Sequence, residues 1–384
     1  MMKKPVVAQT NDIFFLDIQP FIYKYLLRLN GFQCVYFAQE FRDLPSHRIP
    51  RRNAYLVPVQ APRKYTARWL ASGIRRRLTG RYVSPSEEIL RRRKVKVIHA
   101  HFGPRGWEAI KLRGSLSIPV ITSFYGYDVS RYALEAEWVK RYEELFREGS
   151  LFLVEGDFMK SRLVNLGAPE EKVKIQRIAV DLDELPFRAR RPKGSNEPVV
   201  LFFCGRFIEK KGLRYAFEAV AIALRRKCNV EFRVVGDGVL RPQLEAFVRE
   251  NGLKGIVRFL GEMSHTQYLQ AMNDADIYLH HSITADDGNS EGGAPTTILE
   301  AQAMGLPVIS TLHADIPSVV VPGKSALLTP ERDCEAMAES IVRLCREPDR
   351  WQEMGRVGRS FIEQHHDIRR EICTLENHYF SVLS

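Results

Sequence analysis

Cysteine is scarce in this 384-residue chain. Its six residues, Cys34, Cys204, Cys228, Cys334, Cys345 and Cys373, form no C-x-x-C pair. That spacing excludes a disulfide framework and points to buried thiols in a reducing compartment. The histidine pairs 99/101, 280/281 and 365/366 have no cysteine or carboxylate companions at metal spacing, so no metal site and no cofactor are expected. No apolar run approaches the length that spans a bilayer. The opening residues Met1 to Val7 include two lysines but lack the apolar core and cleavage site of a secretory signal. They are expected to be a mature cytosolic start running into a first strand. Acidic residues are few at the front. The first 100 residues hold 20 Lys+Arg against 6 Asp+Glu, a net of +14, whereas the remainder is at −3. The overall +11 is therefore a property of the N-terminal part, and it calls for a polyanionic partner: anionic lipid, nucleic acid or an acidic glycan. No RNA- or DNA-binding motif is present, so nucleic acid is not expected.

What the chain does have is 45% hydrophobic residues at a mean hydropathy of −0.23, enough for sizeable cores, and a length that suits two ordinary domains. Apolar runs predict strands at 5–9, 33–38, 53–57, 95–100, 120–124, 151–154 and 173–178 in the first half. In the second they predict strands at 199–204, 230–235, 256–260, 276–280, 307–310 and 326–328. Amphipathic helices alternate with them. Fully apolar strands between helices argue for parallel sheets covered on both faces. The polar, Pro- and Gly-containing stretch near 188–197 reads as a linker. The expected plan is residues 1–187 as a first Rossmann-like domain and 198–366 as a second, joined by the linker at 188–197. A terminal helix follows at 367–384. Two such domains in series would enclose a ligand cleft.

The densest motif is Glu291-Gly292-Gly293-Ala294-Pro295-Thr296-Thr297-Ile298-Leu299-Glu300, ended by Gly305 and Pro307. Pro295 suits the first helical position and Gly305 a left-handed stop. Free N–H groups at such a helix start attract anions. Glu291 stands at the mouth and Glu300 inside the helix, both able to accept hydrogen bonds from sugar or ribose hydroxyls. Upstream, Gly205-Arg206 ends a strand and Lys211 precedes a helix. Arg206 can bind two phosphate oxygens through its fork, and Lys211 supplies a compact charge. In the first half, His101 ends a strand before Gly103, and Tyr125 and Asp128 end the next. Asp128 could accept from ligand hydroxyls or cap the following helix.

The Glu291…Glu300 helix resembles the signature of retaining GT-B glycosyltransferases, although eight residues stand between the glutamates where that family usually has seven. The extra residue leaves Glu300 more securely equivalent than Glu291. Gly205-Arg206…Lys211-Gly212 is similar to the family's diphosphate-binding segment, and Phe259, Leu260 and Gly261 to its nucleobase-side segment. The His101 segment and Ser123-Phe124-Tyr125-Gly126 also resemble family loops, with Tyr125 where the family usually has a histidine facing the transferred sugar. The usual N-terminal glycine-rich loop is absent after Thr10-Asn11-Asp12. With that departure, the chain looks like the amylovoran and colanic-acid type. The resemblance covers nearly the whole chain, strongly from about 95 to 330 and loosely before 90.

This resemblance implies an α/β GT-B fold: two Rossmann-like domains whose parallel sheets face a central cleft, with a C-terminal helix returning to the first domain. It implies a metal-independent hexosyltransferase that retains anomeric configuration and uses a UDP- or GDP-sugar donor and a lipid-linked glycan acceptor. Glu291, His101 and Tyr125 would serve the chemistry. Gly205, Arg206, Lys211, Phe259, Leu260, Gly292, Gly293 and Glu300 would hold the donor, and Gly103 and Asp128 would lie on the acceptor side. The alternatives are a soluble disaccharide synthase, a sugar-nucleotide epimerase and a non-catalytic nucleotide-sugar-binding scaffold.

The basic stretch 62–94 carries its own reading. Ala67, Leu70, Ala71, Ile74 and Leu78 fall on one helical face, flanked by Lys64, Arg68 and Arg75 with Trp69 and Arg76 beyond. A capping box at Ser84-Pro85-Ser86-Glu87 then leads to Arg91-Arg92-Arg93-Lys94. One reading lays this segment on the anionic inner surface of the cell membrane, making the protein cytoplasmic and peripheral. The other packs it on the core with a solvated basic face.

Overall fold

The structure is a computed structural model that describes residues 4–14, 20–42, 49–57, 77, 83–194 and 197–383. The expected amphipathic helix at 62–78 lies, apart from Arg77, outside the described residues. The chain divides into two compact units. Unit 1 is Met1–Glu155, Lys160–Gln176 and Arg370–Ser384, and unit 2 is Gly156–Met159 and Arg177–Arg369.

Unit 1 contains strands β1 (Val6–Phe14), β2 (Gln33–Phe41), β3 (Ala54–Leu56), β4 (Val95–His101), β5 (Val120–Ser123), β6 (Leu151–Val154) and β7 (Val173–Ile175). Between them run α1 (Pro20–Leu26), α2 (Pro85–Arg92), α3 (Gly103–Leu112), α4 (Tyr127–Ser130), α5 (Ala136–Glu148) and α6 (Asp157–Asn165). The strands pair in parallel in the order β3-β2-β1-β4-β5-β6-β7. Strands β5 and β6 are buried at every residue, as two-sided cover requires.

Unit 2 repeats the plan with β8 (Val199–Cys204), β9 (Val230–Val235), β10 (Val257–Gly261), β11 (Ile277–Leu279), β12 (Val308–Thr311) and β13 (Ala326–Thr329). Its helices are α7 (Leu213–Arg225), α8 (Arg241–Glu250), α9 (His265–Asn273), α10 (Thr296–Ala303), α11 (Cys334–Arg346) and α12 (Arg350–His365). The parallel order is β10-β9-β8-β11-β12-β13. Phe203, Phe207, Phe217, Phe232 and Trp351 fill its core, each contributing about 1.5–3 kcal/mol by leaving water. A last helix, α13 (Ile368–Ser381), carries its C-terminal part into unit 1.

Local rules account for most of the boundaries. Ser264 and Gln267 form a reciprocal capping box at α9. Ser84 Oγ accepts the Glu87 N–H at the start of α2, while the Glu87 carboxylate is engaged by Arg91 and Ser115. Helix α10 stops at Gly305, whose φ of +84° is the left-handed stop its residue type allows. Pro295 is the cap before α10 rather than its first residue.

Both sheets reverse strand order once, at β1/β4 in unit 1 and at β8/β11 in unit 2. The carboxyl ends of the strands flanking such a switch are where open α/β sheets bind ligands.

Candidate active site

In unit 2 the switch point gathers an ionic cluster. Beyond β8 the chain turns through Gly205 and an exposed Arg206 to the short helical turn Glu209–Lys211. Beyond β11 come His280, His281 and Ser282, all fully buried. The two loops touch closely at Gly212. Its φ is +58°, and a Cβ there would overlap the His281 carbonyl oxygen, so only glycine fits.

Glu291 closes the cluster. Its carboxylate lies 2.7 Å from Lys211 Nζ and 3.6 Å from Lys210 Nζ. It accepts from Ser282 Oγ at 3.2 Å, with His280 Nε2 at 3.8 Å. Burial pushes the Glu291 carboxyl up, but Lys211 and Lys210 more than offset this and hold it well below the usual range. Lys210 is buried, donates to the Ser290 carbonyl at 2.8 Å, and is lowered by burial against the opposing pull of Glu291. His280 is pushed down to about 4 by burial and stays neutral. The Glu291 N–H donates to His313 Nε2 at 3.1 Å, which leaves the His313 proton on Nδ1, 2.6 Å from Glu331 Oε1.

The sequence expectation therefore needs two adjustments. Glu291 is a buried partner of two lysines, with its side chain 7% exposed, rather than an open carboxylate at the helix mouth. Lys211 is already engaged by it, which leaves Arg206 as the exposed cation of this loop. After Glu291 the chain turns through Gly292 at φ +77°, and Gly292 and Gly293 are both buried.

Glu300, on the first turns of α10, is 6% exposed. It accepts from the Tyr268 hydroxyl at 2.8 and 2.9 Å and lies 3.1 Å from His265 Nε2, both on α9. Its charge and that of Lys211 act in opposite directions on Cys204, at the end of β8, so the two halves of the motif share one electrostatic neighbourhood. The Phe259 ring packs edge-on against Phe207 and Phe217, within the core. A register shift between Phe259 and Gly261 marks a bulge at Leu260, and the Gly261 carbonyl accepts the Gly236 N–H. Bulges of this kind occur near sites because they re-aim a strand end.

In unit 1 the switch point holds a different arrangement. His101 ends β4 and is 2% exposed. Its Nδ1 lies 2.8 Å from the Tyr125 hydroxyl and its Nε2 3.2 Å from Gln9 Oε1. Burial lowers His101 to about 3 and raises the Tyr125 phenol. Gln9 continues to Tyr379 of α13, and Tyr379 to His99.

Asp128 stands beside this network. The carboxylate is buried, and its oxygens accept the N–H groups of Gly103, Tyr125 and Gly126 at 2.9–3.0 Å. It clamps the loops after β4 and β5 to each other. Burial nevertheless raises it to about 6. Gly103 fits under the Tyr142 hydroxyl and the Phe124 ring, where any Cβ would collide. Phe102 just before it is held at φ +75°, a conformation that side chains rarely adopt and that clusters at functional loops.

Sequence reasoning missed Gln9, His99 and Tyr379 in unit 1, and Lys210, Tyr268, His265 and His280 in unit 2. Only Gln9 had a local signal, a long polar residue within an apolar strand. Among the described residues, no group of three or more His, Cys, Asp or Glu is placed to hold a metal ion. No helix among them is long and apolar enough to cross a membrane.

Two parallel Rossmann-like units, each with a polar cluster at its switch point, define the GT-B class. Solved structures agree. HepE of Anabaena, solved in complex with UDP, superposes with a TM-score of 0.76 at 15% identity, covering 98% of this chain and 100% of that one. Sucrose-phosphate synthase of Thermosynechococcus elongatus does so at 0.72 with 17% identity, covering 99% of each. Two family models match along the chain: "Glycosyltransferase Family 4" at residues 22–184 and "Glycosyl transferases group 1" at residues 198–347. The protein named colanic acid biosynthesis glycosyltransferase WcaL of Escherichia coli is 32% identical over 74% of this chain and 69% of its own length. Its counterpart in Salmonella typhimurium is 35% identical over 65% and 61%. Amylovoran biosynthesis glycosyltransferase AmsK of Erwinia amylovora is 33% identical over 64% and 60%. The chain thus spans roughly three-fifths to two-thirds of the length of these relatives, and it belongs to glycosyltransferase family 4, alongside the colanic acid and amylovoran enzymes.

Proposed function

We propose that this chain transfers a hexose from a UDP- or GDP-sugar to a lipid-linked oligosaccharide, with retention of configuration, during assembly of an exopolysaccharide. The observation that carries this reading is the ionic cluster at the switch point of unit 2. There Lys210 and Lys211 meet Glu291, Arg206 is exposed on the same loop and acts on the charge of Lys210, and Glu300 is buried on the adjoining helix. A nucleoside diphosphate needs cations for its phosphates and a carboxylate for its ribose hydroxyls. Arg206 would take phosphate oxygens through its fork. Lys211, held by Glu291, would share its charge with the diphosphate as it leaves. Glu300 keeps acceptor capacity beyond its bonds from Tyr268 and His265, and would take the ribose. The UDP-bound state of HepE and the relatives in polysaccharide biosynthesis support this donor and this pathway.

In this reading the acceptor oxygen bonds to the anomeric carbon as the bond from that carbon to the diphosphate breaks. The acceptor proton passes to a departing phosphate oxygen. The protein positions the partners and stabilises the charge that develops, and no metal is required.

The test is incubation with UDP- and GDP-sugars and a lipid-linked oligosaccharide, followed by proton NMR of the anomeric signals. The expected result is release of one nucleoside diphosphate and a product with the donor's anomeric configuration. An inverted product rejects retention, and absence of transfer from either nucleotide class rejects the activity. The +14 net charge of the first 100 residues further supports attachment to an anionic cytoplasmic membrane surface through residues 62–94. Co-sedimentation with phosphatidylglycerol vesicles, lost at high salt, is the expected behaviour.

A further inference from the structure

Unit 1 contains a hydrogen-bond chain that the transfer chemistry leaves unexplained. It runs from Ser123 through His99, Tyr379, Gln9 and His101 to Tyr125. Its bonds are 2.8 Å (His99 Nε2 to Ser123 Oγ), 2.8 Å (His99 Nδ1 to Tyr379 Oη) and 3.0 Å (Gln9 Nε2 to Tyr379 Oη). They continue at 3.2 Å (His101 Nε2 to Gln9 Oε1) and 2.8 Å (His101 Nδ1 to Tyr125 Oη). Gln9, His99 and Tyr379 are at most 2% exposed. Strands β1, β4 and β5 supply one end, and the terminal helix α13 supplies the link in the middle.

The proton positions follow from the amide. Gln9 Nε2 donates to Tyr379, so its Oε1 faces His101. An amide oxygen only accepts, so His101 carries its proton on Nε2. His101 Nδ1 is then a lone pair, and the hydroxyl 2.8 Å away must donate to it. On the other side Tyr379 accepts from Gln9 and bonds His99 Nδ1, and His99 Nε2 bonds Ser123 Oγ. Burial keeps both histidines neutral, which this pattern requires, because an imidazolium donates from both nitrogens. The Tyr125 proton is therefore committed inside the protein. Towards ligand, this hydroxyl offers only lone pairs.

We propose that Gln9 and Tyr379 are positioning residues that fix the His101 tautomer through the terminal helix and thereby make Tyr125 a hydrogen-bond acceptor for a substrate sugar hydroxyl. The inference rests on the glycosyltransferase reading for the hydroxyl that Tyr125 meets, but its internal part does not.

Two measurements on the full chain separate these parts. The first is long-range proton–nitrogen NMR of protein labelled with ¹⁵N-histidine, with His101 assigned by its loss in His101→Gln. Wild type is expected to show a protonated Nε2 and a bare Nδ1. Tyr379→Phe and Gln9→Met are expected to lose that single tautomer while keeping a cooperative melt. A wild-type His101 protonated on Nδ1, or a tautomer unchanged in both variants, overturns the proposal. If Tyr379→Phe fails to fold, Gln9→Met and the wild-type spectrum decide.

The second measurement is binding of UDP-glucose analogues in which one sugar hydroxyl at a time is replaced by hydrogen or fluorine. Fluorine accepts weakly but cannot donate. At one position both replacements are expected to weaken binding by about tenfold, and Tyr125→Phe is expected to abolish that sensitivity. A position where fluorine is tolerated and hydrogen is not, sensitive to Tyr125→Phe, would show Tyr125 donating and overturn the proposal. If UDP-glucose and its analogues do not bind while the tautomer behaves as expected, the donor reading fails and the positioning role of Gln9 and Tyr379 stands.

Discussion

The two switch points are built from opposite materials. In unit 2 the cluster is ionic: Lys210, Lys211 and Glu291, with Arg206 exposed nearby and Glu300 on the next helix. In unit 1 it is neutral: Gln9, His99, His101, Tyr125 and Tyr379, joined end to end by hydrogen bonds. The same fold topology thus presents charge in one unit and oriented dipoles in the other. Charge suits phosphates, which carry charge before and after transfer. Oriented neutral groups suit hydroxyls, where the direction of each hydrogen bond decides what is recognised.

The contrast can be broken most forcefully at Lys211. Lys211→Met leaves Glu291 buried with only the more distant Lys210. The expected loss is about 3–5 kcal/mol, the usual cost of stranding a buried charge. Chemical denaturation measures it, and adding Glu291→Gln to the same chain should restore most of the loss. A single variant as stable as wild type would mean that the pair contributes nothing.

The next effect belongs to unit 1. Asp128→Ala leaves the N–H groups of Gly103, Tyr125 and Gly126 without their acceptor. The expected cost is about 2–3 kcal/mol, together with faster hydrogen exchange at those three amides. Unchanged exchange there would show that the loops after β4 and β5 do not depend on the clamp.

The smallest effect is in pH, where one carboxyl from each unit should contribute with opposite sign. The Glu291 carboxyl is held well below its ordinary value, so its contribution is present above about pH 4.5 and is lost as pH falls through the folded value. The Asp128 carboxyl is raised to about 6, so its contribution is full below the ordinary aspartate range and is lost as pH rises through about 6. Between pH 7 and pH 5 the neutral buried histidines, His99 and His101 in unit 1 and His280 and His281 in unit 2, cost both units stability, because the unfolded chain gains their protons and the fold does not. Against that shared loss, the stability difference between wild type and Asp128→Asn should grow as pH falls through about 6, and the difference between wild type and Glu291→Gln should shrink only in stronger acid. Differences that do not move with pH in these windows would contradict the contrast.

Much of the fold was legible because it rests on local signals. Apolar runs of three to six residues marked the thirteen strands of the described residues, and Gly305 sits where a helix stop belongs. The site was legible only where chemistry and backbone signal coincide, as at Gly205-Arg206 and at the glycine turn before Glu300. Tyr379 could not be read, because it reaches Gln9 across 370 positions of sequence, and nothing in its own helix distinguishes it from a core tyrosine. The state of Glu291 was hidden for a related reason. Sequence shows a carboxylate next to a glycine turn, but only the packed loops show Lys210 and Lys211 arriving beside it.

The most direct test of the central claim, that the charged switch point of unit 2 holds a diphosphate, is titration calorimetry of wild type and Arg206→Ala. The ligands are UDP and GDP, each compared with its nucleoside. The account expects at least one nucleoside diphosphate to bind wild type and to lose about ten- to a hundredfold in affinity in the variant, since a charge-assisted hydrogen bond contributes roughly 1.5–3 kcal/mol. Nucleoside affinity should stay the same in both proteins. Equal diphosphate affinity in wild type and Arg206→Ala, or no binding of either diphosphate, would contradict it.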